Sequence, residues 1–163
     1  MQRGILRVPG GVTMADLREL YQETILDHNK RPRNFHEIPG ADATAVGHNP
    51  LCGDRVTVYL RLRDDTIADI GFVGQGCAIS KASASLMTDA VKGKSKAQAR
   101  RLFETFHKMV TGKPEDAVDT ATLGKLAVLS GVSEFPVRVK CASLPWHTLE
   151  AALESKKEIV SLE

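Results

Sequence analysis

Residues 55–73 read RVTVYLRLRDDTIADIGFV. Through Arg55–Arg63, Val56, Val58, Leu60 and Leu62 fall on one side of an extended chain, while Thr57, Tyr59 and Arg61 fall on the other. A period of two is the mark of a half-buried strand. Asp64-Asp65 supplies a turn and Ile67–Val73 reads as the return strand. This hairpin, with Asp42–Val46 as a candidate further strand upstream, predicts an antiparallel sheet of about three strands.

Upstream of the sheet, Thr13–Asn29 reads as a helix. Leu17, Leu20, Tyr21, Thr24, Ile25 and His28 share one face, the spacing of an amphipathic helix. Thr13 or Asp16 can cap it. Asp16 and Glu19 lie at its start and Lys30, Arg31 and Arg33 at its end, the signs the helix dipole favours. Pro32 stops it. His28, on the apolar face, reads as a hydrogen-bonded core residue.

Downstream, Gly74-Gln75-Gly76 ends the hairpin and Cys77 follows at once. A helix begins near Ser80, and Ala82, Ser83, Ala84 and Ser85 are small enough to let it approach a neighbour closely. Ser95 and Gln98 form a capping-box pattern ahead of a helix whose apolar face is Ala99, Leu102, Phe103, Phe106, Met109 and Val110. Leu123–Leu129 predicts a short helix. Phe135-Pro136 predicts an extended segment through Val137 and Val139, leading to Cys141. A last helix is expected from about Ser143, with Pro145 in its first turn, where proline is tolerated. Helix, strands, then helices is an α+β order. Residues 14–155 read as a single domain, 1–13 as a flexible extension with Met14 a possible start, and 156–163 as a tail.

Composition excludes several classes. The chain has 163 residues, 42% hydrophobic and 26% charged, long enough for a core and too balanced for disorder. The net charge of +2, with no basic stripe and no phosphate-binding glycine loop, argues against nucleic acid. No apolar run reaches the length of a membrane span. There are three cysteines, Cys52, Cys77 and Cys141. An odd number, with no apolar leader, predicts a reducing, cytoplasmic setting.

Each cysteine lies at the end of a predicted element, and Cys77 and Cys141 fall at predicted helix starts, where the dipole favours thiolate. Their separations are not those of a zinc finger, so packing cysteines, reactive thiols and metal ligands all remain open. Asp54, two residues beyond Cys52, shares its face if that stretch is extended. Zinc accepts thiolates and carboxylates in tetrahedral sets, and Cys52, Asp54, Cys77 and Cys141 make four. Asp54 as a simple turn cap is the competing reading. Four anionic ligands around Zn²⁺ need neighbouring cations. Arg55, Lys81, Arg138 and Lys140 are near in sequence, the last two on one side of the predicted extended segment. His48 and His147 lie near cysteines in sequence, which leaves a metal-ligand or Cys–His partner role open at each as the lesser reading, and His36 and His107 read as surface. A Cys–His hydrolase would need a third orienting group, and none is evident.

The stretches LYQETILDHNKRPRN (20–34), NPLCGD (49–54), GQGCAISKASAS (74–85) and FPVRVKCASLPW (135–146) together resemble the U-type iron–sulfur assembly proteins, specifically the SufU branch. The resemblance spans about residues 14–153. It implies an α+β fold with helices packed on a three-stranded antiparallel sheet, and one exposed zinc site made by Cys52, Asp54, Cys77 and Cys141. The IscU scaffold branch typically has histidine before its third cysteine, where this chain has Lys140. The longer segment Gly112–Glu134 is also SufU-like, and Arg138 matches a supporting arginine of that pattern.

The resemblance further implies a zinc-dependent sulfur-transfer protein. It would take persulfide sulfur from a pyridoxal-phosphate cysteine desulfurase of the SufS type and pass it to the SUF assembly machinery. Cys52 would be the acceptor, freed when a partner histidine takes its place. The alternative is a scaffold that assembles and transfers a [2Fe–2S] cluster on the same cysteines. A purely structural zinc module is a third reading.

Overall fold

The computed structural model of the chain describes residues 14–50, 53–112, 120–154 and 160–161. Helix α1 (Met14–Lys30) leads into β1 (Ala43–Asn49), β2 (Asp54–Arg63) and β3 (Thr66–Gln75). Helices α2 (Ala78–Val91), α3 (Lys96–Thr111) and α4 (Thr120–Leu123) follow. A 3-10 helix (Gly124–Glu134), α5 (Pro136–Leu153) and a two-residue strand β4 (Val160–Ser161) complete the order. The antiparallel sheet β3-β2-β1 is the expected one, and α+β is the fold class. β4 adds a parallel edge beside Gly47 and His48 that the sequence did not announce.

Val56, Val58 and Leu60 of β2 are buried, as their alternation predicts. On β3 the buried residues Ile67 and Ile70 are three apart, a spacing that simple alternation forbids. The register explains it: Leu60 faces Ile70 and Arg61 faces Asp69, but Leu62 faces Ile67. Ala68 is therefore an extra residue, a β-bulge that turns both isoleucines into the core.

Helix α5 lies across β1 and β2, and α2 packs against β3, α1 and α5. Two features allow this close approach. Gly47 of β1 faces Leu144 and Thr148 of α5, and a β-carbon there would run into Thr148. The run Ala82–Ser85 of α2 is wholly buried, and the Ser83 hydroxyl donates to the Ala142 carbonyl of α5 at 2.6 Å. The small residues thus serve close packing, as expected. The capping box of Ser95 and Gln98 is formed, and the six buried residues of α3 are the six its periodicity names.

His28 is buried, and its Nδ1 lies 2.7 Å from the Ser85 hydroxyl. That hydroxyl accepts from the Arg33 N–H at 2.8 Å, leaving its proton for the imidazole. The Asn34 amide donates to Thr88 Oγ1 at 3.0 Å. The segment after α1 is thereby fixed to α2.

One expectation fails. Val137–Lys140 is helical, not extended, because α5 begins at Pro136. Proline at the first helical position loses no hydrogen bond and has its φ preset. The β-branched Val137 and Val139 oppose helix only weakly. The buried stripe of Ala142, Leu144, Trp146 and Leu149 outweighs them. Pro145 consequently sits mid-helix rather than in a first turn. Among the described residues, no helix is long and apolar enough to cross a membrane.

Candidate metal centre

The start of β2, the start of α2 and the second turn of α5 meet at one corner of the fold. Asp54 is the first residue of β2, Cys77 is the N-cap of α2, and Cys141 lies in α5. One ligand atom from each lies within 4.8 Å of the others. Asp54 is fully buried and Cys141 is 3% exposed, while Cys77 is partly exposed. The corner is thus reached from solvent on the Cys77 side.

The Cys77 N–H donates to Asp54 Oδ1 at 2.8 Å and its thiol to Oδ2 at 3.6 Å. The Ser80 N–H donates to Cys77 Sγ at 3.4 Å, the bond an N-cap side chain makes. Gly76 holds the approach open. Its φ is +146°, and a β-carbon there would run into the Asp54 carboxylate. Asp54 does more than cap a turn, because its carboxylate binds the chain on the far side of the hairpin. The sequence did not single out Gly76 for this, although GQGC placed it beside Cys77.

Burial pushes the Cys77 thiol above its usual pKa, and the Asp54 charge adds to this; the Ser80 N–H pulls the other way and is outweighed. The dipole argument for a lowered thiol pKa therefore fails at Cys77 in the metal-free protein. It does not apply to Cys141, which is the sixth residue of α5 rather than a residue at its start. Two thiols gathered against a buried carboxylate form a donor set that suits zinc, whose charge would reverse this balance. Cys52, the expected fourth ligand, lies outside the described residues.

The expected cations meet different partners. The Lys81 ammonium sits 4.9 Å from the centre of the Phe35 ring and the Arg138 guanidinium 4.8 Å from that of Phe135. With α5 helical, Arg138 and Lys140 point in different directions, roughly 200° apart around the axis. Arg138 lines a groove of about 870 Å³ that also reaches Cys77 and Cys141. Lys140 is partly buried. Arg55, opposite His48 across β1 and β2, is exposed. Among the described residues, His48 is not gathered with Cys77 and Cys141, and His147 lies beside His107.

The groove has an apolar rim that the sequence did not identify. Leu26, Phe135 and Val137 are 51%, 49% and 56% exposed and all line it. Only the tertiary fold brings α1 and the start of α5 to the same opening.

Residues 20–142 match the model of the NifU-like N terminal domain. The chain is 41% identical over 143 residues to the iron–sulfur cluster assembly scaffold protein IscU of Streptococcus pyogenes serotype M1, covering 88% of each chain. It is also 41% identical to the zinc-dependent sulfurtransferase SufU of Bacillus subtilis (strain 168), covering 88% of this chain and 95% of that one. Among solved structures it is similar, with a TM-score of 0.77 and 38% identity, to a protein from Fervidobacterium islandicum AW-1 described as an iron–sulfur cluster assembly scaffold for the SUF system. That match covers 83% of this chain and 98% of the other.

Proposed function

Because this chain belongs to the family of NifU-like N-terminal domains, we propose that it is a zinc-dependent sulfur carrier for iron–sulfur cluster assembly. Its donor would be a pyridoxal-phosphate cysteine desulfurase of the SufS type, and its product would go to the SUF machinery. The observation that carries the reading is the convergence of Asp54, Cys77 and Cys141 within 4.8 Å beside an open groove. Cys52, Asp54, Cys77 and Cys141 would hold the zinc, with Arg138, Lys140 and Lys81 as supporting charges. When bound, zinc would keep the thiols deprotonated at neutral pH.

The transfer itself is thiol exchange. The Cys52 thiolate attacks the outer sulfur of the donor's persulfide. A new S–S bond forms on Cys52, the donor's S–S bond breaks, and the donor cysteine leaves as thiolate. One thiolate replaces another, so no external oxidant or reductant is needed. Cys52 suits this role because Gly53, at φ +72° and exposed, adjoins it. Cys141 is buried in α5 and Cys77 is tied to Asp54 and Ser80. The apolar rim of Leu26, Phe135 and Val137 offers the donor a surface next to the thiols.

The test is cysteine turnover by a SufS-type desulfurase mixed with this chain. Wild type should stimulate it, and a chelator or Cys52→Ala should abolish the stimulation while the fold persists. Normal persulfide transfer by Cys52→Ala would refute the assignment. The scaffold reading uses the same donors, since thiolates also hold iron–sulfur clusters. A visible-absorbing cluster that survives anaerobic purification and moves to apo-targets would favour it. About one tightly held zinc per chain favours sulfur transfer.

A further inference from the structure

A second group of metal-type ligands lies away from the cysteines, where α3 and α5 cross. Glu104 and His107 are three residues apart on α3, and His147 and Glu150 are three apart on α5. Residues at that spacing stand side by side on a helix, and paired Glu/His motifs on facing helices are a known way to build a metal site. The two helices turn these pairs toward one recess of about 310 Å³. His147 is six residues beyond Cys141, hence ~9 Å further along the axis and about 120° round from it.

We propose that this recess is a second, cysteine-free site for a divalent first-row transition-metal ion, held by His107 and His147 with Glu104 and Glu150. The imidazole rings are already at a compatible separation. Their ring centres are 5.8 Å apart and their planes 81° apart. Two imidazoles sharing one ion at ordinary metal–nitrogen distances have ring centres roughly 5–6 Å apart. Phe103 forms a common floor, with its ring centre 5.8 Å from that of His107 and 5.1 Å from that of His147. It is itself stacked on Trp146, so both histidines rest on core residues.

The charge also fits. Glu104, Glu150 and Glu154 line the recess against Arg100, leaving it net negative. Among the described residues, only Asp54, Cys77 and Cys141 have three ligand atoms already gathered. The carboxylates here must therefore swing in by side-chain rotation when an ion arrives. Two nitrogens and two oxygens suit zinc or ferrous iron better than the hard cations calcium and magnesium. The site does not rest on the sulfur-transfer reading.

The experiment adds cobalt(II) to the full chain already given one equivalent of zinc, following histidine NMR signals and absorbance. The expected result is early broadening of the His107 and His147 resonances, with those of His28, His36 and His48 little changed. No thiolate-to-cobalt charge-transfer band should accompany it. Changes beyond the direct ligands already weaken metal sites about 10–100-fold. His107→Gln, an exposed substitution, should therefore weaken uptake at least about tenfold, and Glu104→Gln with Glu150→Gln should weaken it further. Zinc and anaerobic ferrous iron, competed against cobalt, then identify the preferred ion. Unbroadened histidine signals at millimolar cobalt, or equal uptake by His107→Gln and wild type, would overturn the proposal.

Discussion

Asp54 and Cys77, 23 residues apart, are joined twice: the Cys77 N–H reaches Oδ1 at 2.8 Å and its thiol reaches Oδ2 at 3.6 Å. One fully buried carboxylate thus closes the sheet onto the helix and faces the sulfurs. Asp54→Asn separates the two roles. The amide oxygen can still accept from Cys77, so the fold should remain, but the negative charge is gone. Zinc affinity, measured by competition with a chromophoric chelator, should fall at least about tenfold, the scale of changes near a metal.

Gly76→Ala tests the approach itself. Its φ of +146° and the collision of a β-carbon with Asp54 predict strain of roughly 1–3 kcal/mol. Urea unfolding should show the loss, and zinc affinity should drop with it because Asp54 is displaced. Unchanged values for both would mean that the backbone at this corner relaxes freely.

His28 gives the fold a pH dependence. Burial is the main cause of its lowered pKa, with Arg33 next. The folded state therefore holds the neutral ring, while the unfolded chain takes up a proton near pH 6.5. The contribution to stability is complete above that pH. It is lost as the pH falls through 6.5 toward the lower folded value, below which it levels off. Urea midpoints at stepped pH should show this loss in wild type and a smaller one in His28→Gln. Equal slopes would remove His28 as the cause.

Val137→Glu probes the apolar rim. Val137 is 56% exposed, so stability should change by no more than about 0.5 kcal/mol. A charge at the groove should nevertheless raise the desulfurase concentration needed for half-maximal stimulation, with zinc content unchanged. No change in that concentration would place docking elsewhere.

Much of this fold was legible in local patterns. The hairpin, the buried face of α3, the Ser95 cap and the small residues of α2 each follow from a single period or a single stop signal. The misreading of residues 137–140 arose where local preference and tertiary burial disagree: two valines suggested strand, and the long buried stripe beyond them decided for helix. The bulge at Ala68 and the pairing of β4 are register features, fixed by which isoleucines the core accepts and which edge lies open. At the site, Asp54, Cys77 and Cys141 were readable as candidates by residue type and motif. Their convergence, the need for glycine at 76 and the meeting of α1 with α5 around the groove depend on distances that no sequence spacing encodes.

The Ser83 hydroxyl bound to the Ala142 carbonyl at 2.6 Å ties together the two helices that carry Cys77 and Cys141. Cys77 and Cys141 are thereby placed at helices packed on one another, whereas Gly53, at φ +72° and exposed, stands outside them. In the zinc-bound form proposed above, exchange for the bulkier cadmium should leave the separation of α2 and α5 unaltered and displace Gly53 instead. The molecule would tolerate ions of different radius by bending a hairpin rather than by loosening its interior.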